Sequence, residues 1–377
     1  MKPDGSFADI PDEVRRRVAA GERVALLLLD ALGLRFLHRH HDHPLLERLE
    51  ITPLRSQFPS TTTAHVATIH SGLPVQDHGL YEWNVLEPEL DRIICPLRFT
   101  LAESKVSGEL EGRLDPAALL PEPTLYQSLG VPCFVLQPQA IADSAFTRQA
   151  TLGASVYAFD TPADGMQALA GLMAIVDGPA YASLYWDAID RAGHERGPDS
   201  PEFHEAGRVA LNAIYERLED LGDVTVLLTA DHGQVTVSPE RVDYLDELWP
   251  ELPAMLSQPR PAGSSRDVFL HVHEEHVDTV LAELGARLDD GGGGGAGEDG
   301  GGAGGGGGGA RVLRAADLFD RIGPRLAARL GQVAVLAAPG RQVWLRSAPA
   351  NERWFRGQHG GLHPAETETY LAEVRPR

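Results

Sequence analysis

A chain of 377 residues, 43% hydrophobic and 23% charged, has material for one large α/β domain with insertions or for two smaller domains. Its 33 Lys and Arg face 54 Asp and Glu, a formal charge of −21, which excludes broad affinity for nucleic acid because a phosphate backbone rewards clustered cations. Two cysteines, Cys95 and Cys133, cannot build a disulfide framework, so a reduced interior is expected. The opening MKPDGSFADIPDEVRRR is polar and acidic where a secretory leader needs a basic end and an apolar core. The run Val24–Leu29 is far shorter than the roughly 20 residues that span a bilayer, and no later segment does better. No membrane association and a cytoplasmic location are expected.

In chain order, Val24–Leu29 reads as a buried strand closed by Asp30, either a metal or phosphate-site carboxylate or a helix cap. FPSTTTAHVATIHSGLP then places Thr61, Thr62 and Thr63 at the start of a helix-like stretch to Ser71. Free N–H groups and the positive dipole end there suit a phosphate; the plainer reading is an N-cap threonine. Val131–Leu136 and Tyr181–Trp186 are further strands. After the second, YASLYWDAIDRAGHERGPDS sets Asp190 and His194 one helical turn apart, a spacing that suits one zinc ion, with Asp187 as a competing ligand.

Pro201–Gly222 has helical spacing, with Val209, Leu211, Ile214, Leu218 and Leu221 along one broad face. Val224–Thr229 is a strand ending in Asp231, His232 and Gly233, where a turn lets both side chains converge on an ion. Residues 239–309 read as an insertion or cap between core segments 1–238 and 310–377. Gly291–Ala310, nearly all glycine, reads as a disordered surface loop; phosphate loops place few glycines at fixed offsets. Val333–Leu336 is a last buried strand, and RGQHGGLHPAE offers His359, flanked by glycine, and His363 before Pro364. The alternation predicts a doubly wound, largely parallel sheet with helices on both faces and function at the carboxyl ends of its strands.

Asp30, Asp190, Asp231, His194, His232, His359 and a threonine hydroxyl are together roughly what two tetrahedral zinc ions with open positions need. Their order resembles the alkaline phosphatase superfamily, and within it the type I phosphodiesterase/nucleotide pyrophosphatase family, from residue 24 to about 365 without the glycine tract. In that family the reactive threonine falls ten residues before the glycine of a T/S-G pair, and counting back from Gly72 gives Thr62. IDRAGHERGP resembles PDxxGHxxGP, which selects Asp190 over Asp187; the GxHGG context selects His359 over His363. The resemblance implies one zinc held by Asp190, His194 and His359, and another by Asp30, Asp231 and His232 with Thr62 at its open position. Manganese or magnesium are possible substitutes.

The family's phosphate-binding Asn corresponds to Asn84, displaced by one residue from the usual spacing, with Trp83 as the alternative substrate-facing group. Cys95-Pro96-Leu97-Arg98 lacks the C/S-x-P-x-R spacing of a sulfatase. No arginine is evident beside Thr62 to take a dianionic monoester, which favours diesters and nucleotide pyrophosphates cleaved through a phospho-threonine. The alternatives are a phosphomonoesterase or phosphonoacetate hydrolase-like enzyme, or a catalytically silent metal-stabilised binding protein. The expected partner is a small phosphate ester or nucleotide.

Overall fold

The computed structural model describes residues 5–290, 310–348 and 354–374; the glycine tract, except Ala310, lies outside them. Eight strands form the central sheet: β1 Gly5–Ser6, β2 Arg23–Leu29, β3 Leu49–Arg55, β4 Cys133–Pro138, β5 Ser155–Phe159, β6 Ala180–Trp186, β7 Thr225–Thr229 and β8 Glu368–Val374. Their spatial order is β1-β3-β8-β7-β2-β6-β4-β5. Every pairing is parallel except the two made by β8, which runs against both β3 and β7. The largely parallel, doubly wound sheet is therefore the architecture found.

β2 is buried along six of its seven residues, as a central strand covered on both faces requires. Val24, Leu26 and Leu28 pack to one side with Phe7, Val14, Ile69 and Tyr126. Ala25, Leu27 and Leu29 pack to the other with Met166, Leu211 and Ile214. The helices that matter here are α1 Ile10–Ala19, α2 Thr62–Ser71, α3 Pro162–Ala174, α4 Ala188–Arg196 and α5 Pro201–Arg217. α5 starts on a Ser200 cap and buries Phe203, Ala210, Leu211 and Ile214, each contributing roughly 1–3 kcal/mol of transfer free energy. Val209 is the exception on the face read from sequence: it is 44% exposed, because it lies beside rather than on the stripe facing α3.

Val333–Leu336 is a buried strand, but it belongs to a second, antiparallel sheet with Ala262–Gly263, Asp267–Leu270 and Arg311–Arg314. A third core cluster packs against that sheet, including Trp249, Leu270, Leu284 and Trp344. The buried Arg266 guanidinium grips Glu366 through Nε–Oε1 at 3.0 Å and Nη2–Oε2 at 3.1 Å, tying this sheet to the chain just before β8. Cys95 and Cys133 are buried free thiols. Among the described residues no helix is long and apolar enough to cross a membrane.

Candidate active site

The polar residues singled out above gather at the carboxyl ends of the parallel strands. Asp30 closes β2 and is followed by Ala31 at φ 63°, a left-handed turn. Asp231 and His232 follow the neighbouring β7; Ala31 N–H and His232 N–H both donate to Asp231 Oδ1, at 3.1 and 2.9 Å. Asp190 and His194 lie on α4, after β6. Thr61 caps α2, donating its hydroxyl to Tyr81 O at 3.3 Å, so Thr62 is the first helical residue. Thr62 Oγ1 lies 3.2 Å from His232 Nε2, and 3.4 and 3.3 Å from Asp30 Oδ1 and Oδ2. His359 arrives on the loop before β8, which pairs with the Thr62 segment through Ser60 and Gly360.

All three histidines are oriented alike. Nδ1–H donates to a backbone carbonyl in each: Gly357 O at 2.8 Å for His194, Gly233 O at 3.1 Å for His232 and Ser60 O at 2.9 Å for His359. A carbonyl can only accept, so Nδ1 carries the proton and Nε2 turns to the carboxylates. His194 Nε2 is 3.1 Å from Asp190 Oδ2, and His359 Nε2 is 3.6 Å from Asp190 Oδ1. His232 Nε2 is 3.4 Å from both Asp30 Oδ1 and Asp231 Oδ2. Asp30, Asp231 and His232 offer ligand atoms all within 4.8 Å of one another, as do Asp190, His232 and His359.

Burial holds Asp30 well above the usual carboxylate range, with repulsion from Asp231 and Asp190 added. Burial likewise pushes Asp231 up to about 7, and Asp190 contributes. Burial would raise Asp190 too, but His194 and His359 outweigh it and hold that carboxyl low. The imidazoles of His232 and His359 are kept neutral by burial, His359 down to about 4. The neutral imidazole of His232 facing the reluctant carboxyls of Asp30 and Asp231, with Asp231 Oδ2 buried and lacking a hydrogen-bond partner among the described residues, fits a divalent cation.

Supporting residues went unnoticed in the sequence. Tyr185 donates its hydroxyl to Asp30, and Gln234 donates to Asp190 O and Oδ1 at 3.1 and 2.5 Å. A Cβ on Gly193 would come 2.1 Å from Gln234 Oε1, so glycine is what lets α4 sit on this support. His65 accepts from Gln57 N–H at 2.9 Å and donates to Thr61 O at 2.6 Å, pinning the approach to Thr62.

The competing candidates are engaged with other groups, although Asp187 also lines a cavity beside Thr62. Asp187 pairs with Arg191 at 3.0 Å, and exposed His363 caps the short helix Pro364–Thr367. Asn84 departs from expectation: its side chain donates to Gly263 O at 3.1 Å, and it lines neither cavity beside Thr62. The one-residue displacement turns it to the second sheet and leaves Trp83 on the walls of both cavities, of about 350 and 250 Å³. Arg98, from the segment set aside as no sulfatase motif, lines both cavities as well, so the expectation of no arginine beside Thr62 is corrected. The only hydrogen bond of its side chain among the described residues is from Nη2 to Lys105 O at 2.9 Å.

A family model described as type I phosphodiesterase / nucleotide pyrophosphatase matches residues 24–362. Ectonucleotide pyrophosphatase/phosphodiesterase family member 3 of Mus musculus is 22% identical over 245 residues, 63% of this chain and 27% of that protein. The chain thus spans about a quarter of the length of this relative. Bis(5'-adenosyl)-triphosphatase ENPP4 of Homo sapiens is 33% identical over 75 residues, covering 18% of this chain and 16% of that one. Among solved structures, murine ectonucleotide pyrophosphatase / phosphodiesterase 5 superposes with a TM-score of 0.67 at 17% identity, covering 94% of this chain and 88% of that one. Phosphonoacetate hydrolase from Sinorhizobium meliloti 1021 gives 0.65 at 15% identity, with 94% and 90% covered.

Proposed function

The chain belongs to the type I phosphodiesterase/nucleotide pyrophosphatase family, and from that premise we propose that it hydrolyses small phosphate esters by attack of Thr62 on phosphorus. The observation that carries the reading is the Thr62 hydroxyl, 3.2–3.4 Å from His232 and Asp30, within a set of imidazoles whose Nε2 atoms all face carboxylates. Asp30, Asp231 and His232 would hold one divalent cation, and Asp190, His194 and His359 the second. Two such ions, zinc by the ligand chemistry, would lower the pKa of the attacking hydroxyl and neutralise charge on the phosphoryl oxygens.

The chain's own residues do the rest. Thr61 and His65 fix the start of α2, so that Thr62 presents its hydroxyl at a helix N-terminus whose free N–H groups favour an anion. Asp30, with both carboxylate oxygens 3.3–3.4 Å from the hydroxyl, stands next to it as an acceptor for its proton. Bond formation to phosphorus expels the leaving alcohol and gives a phospho-threonine, which water then hydrolyses. The murine phosphodiesterase 5 neighbour, solved with AMP as an inactive variant, supports a nucleotide or related ester as substrate. Arg98 favours the second reading, a phosphomonoesterase or phosphonoacetate hydrolase-like activity, because a guanidinium on both cavity walls suits a doubly charged group. The expected boundary at 309 is corrected by the shared second sheet: we propose that residues 239–290 and 310–348 together cap a core made of 5–238 and 354–374.

The test is metal content together with trapping. Purified protein should carry about two divalent ions per chain, and an acid quench during turnover should leave phosphate on Thr62. Protein that takes up no metal, or phosphate recovered on a histidine, would refute the reading. Initial rates on bis- and mono-(p-nitrophenyl) phosphate separate the two activities.

A further inference from the structure

In the second sheet, the turn between Ala262–Gly263 and Asp267–Leu270 faces the loop that carries His359. Each residue from Ser264 to Asp267 reaches that loop or its anchor. The Ser264 hydroxyl donates to Asp267 Oδ1 at 2.7 Å and lies 3.5 Å from His359 O. The Ser265 hydroxyl accepts from Gln358 Nε2 at 3.0 Å and donates to Gln342 Oε1 at 2.8 Å. Asp267 packs against Gly360, whose φ of 118° suits glycine and whose Cβ, were there one, would come 2.6 Å from Asp267 Oδ1.

Arg266 makes the longest connection. Besides gripping both oxygens of Glu366, its guanidinium donates through Nη1 to Ala338 O and Arg341 O at 2.8 and 2.7 Å. Glu366 Oε1 also accepts from Gly361 N–H at 3.0 Å, and the Glu366 carbonyl accepts from Gly233 N–H at 3.0 Å. Gly361 closely follows His359 and Gly233 directly follows His232, so one buried residue holds both loops that bring these imidazoles in. Ser60 holds the loop from the other side: its hydroxyl donates to Gly361 O at 3.0 Å and accepts from Gly360 N–H at 3.2 Å. A buried ion pair contributes little net stability, because desolvation offsets the attraction. What a guanidinium fork supplies is direction: it fixes both carboxylate oxygens, and so fixes where Gly361 N–H must lie.

We propose that the second sheet is a positioning device for His359, acting through Arg266 and Glu366 to hold the loop so that Nε2 points at Asp190. This rests on the reading of His359 as a ligand of the second cation. Arg266 and Glu366 are positioning residues, and neither lines a cavity beside Thr62. The coupling is reciprocal by linkage: the turn strengthens the hold of His359 on a cation, and the bound cation stabilises the docked turn.

The experiment follows zinc binding by chelator competition, together with amide hydrogen exchange, in full-length protein and its variants. Arg266→Met combined with Glu366→Met removes the ion pair, a change that costs a fold far less than breaking the pair, but strips Gly361 N–H of its acceptor. One of the two zinc ions should then bind about tenfold more weakly or worse while the other is unaffected, and exchange over 357–362 should quicken even without metal. Glu366→Gln should do the reverse: it leaves Arg266 unpaired and lowers the melting temperature, yet keeps an acceptor for Gly361 N–H and both zinc affinities. Zinc should slow exchange over 262–270 in the unaltered protein but not in the double variant. If the double variant does not fold, Arg266→Lys, which keeps a charge beside Glu366 without the fork, should show the same selective loss. A folded double or Arg266→Lys variant that binds both ions like the unaltered protein, or weakens both equally, overturns the proposal. Unaltered protein that takes up no zinc overturns the catalytic reading instead. Metal-free exchange over 357–362 then decides the positioning by itself: faster in the variant supports it, unchanged overturns it.

Discussion

Three consecutive threonines at the start of α2 have three different surroundings. Thr61 Oγ1 is engaged with the backbone of Tyr81 and Ala64, and Thr63 Oγ1 is buried without a hydrogen-bond partner among the described residues. Only Thr62 faces both Asp30 and His232. Thr62→Ala should therefore keep metal and fold but lose several orders of magnitude in kcat, while Thr62→Ser keeps part of it, as steady-state kinetics would show. Thr61→Ala should show up mainly in the melting temperature, by about 1 kcal/mol for a lost cap. His65→Ala should cost on the order of 2–4 kcal/mol in denaturant melts, because Gln57 N–H and Thr61 C=O lose their buried partner. The clustered Asp and His residues were legible because each closes a strand or sits one turn from the next. Arg98 and Tyr185 were not, since their part depends on a site assembled from segments far apart in sequence.

Among the elements, the strands read from sequence were those buried on both faces: β2, β4, β6 and β7 are short, nearly continuous apolar runs. β3 and β8 were missed because exposed or half-buried positions interrupt their apolar runs, and Pro53 argues against a strand. Val333–Leu336 was legible as a strand but not in its sheet, because an apolar run carries no information about which edge it joins. α4 illustrates a constraint that spacing alone cannot show. Gly193→Ala would drive a methyl into Gln234 Oε1 and loosen the grip of Gln234 on Asp190. Metal affinity should fall by roughly tenfold or more, measured by competition with a chelator, while the circular dichroism spectrum stays unchanged.

Across the whole molecule, His65, His70 and His271 are held neutral by burial at about 4, and His78 at about 3. In the unfolded chain each takes its proton near 6.5. The unfolded state thus binds more protons than the folded state between those values. The stabilisation is full above about pH 6.5 and is lost as pH falls towards 4. At the low-pH limit each group contributes on the order of 3 kcal/mol, so melting temperatures should drop steeply over that window, and His78→Gln should make the drop shallower. The antiparallel β8 has a consequence in time as well as in space. During synthesis β1 and β3 emerge early and β7 much later, yet no pairing joins these halves until Glu368–Val374 is inserted between them. Until then β3 and β7 each present an unsatisfied edge. A ribosome-bound chain that stops short of residue 368 holds two half-sheets with open edges, the form most in need of a chaperone, and the strand that closes the sheet is the one that directly follows the His359 loop.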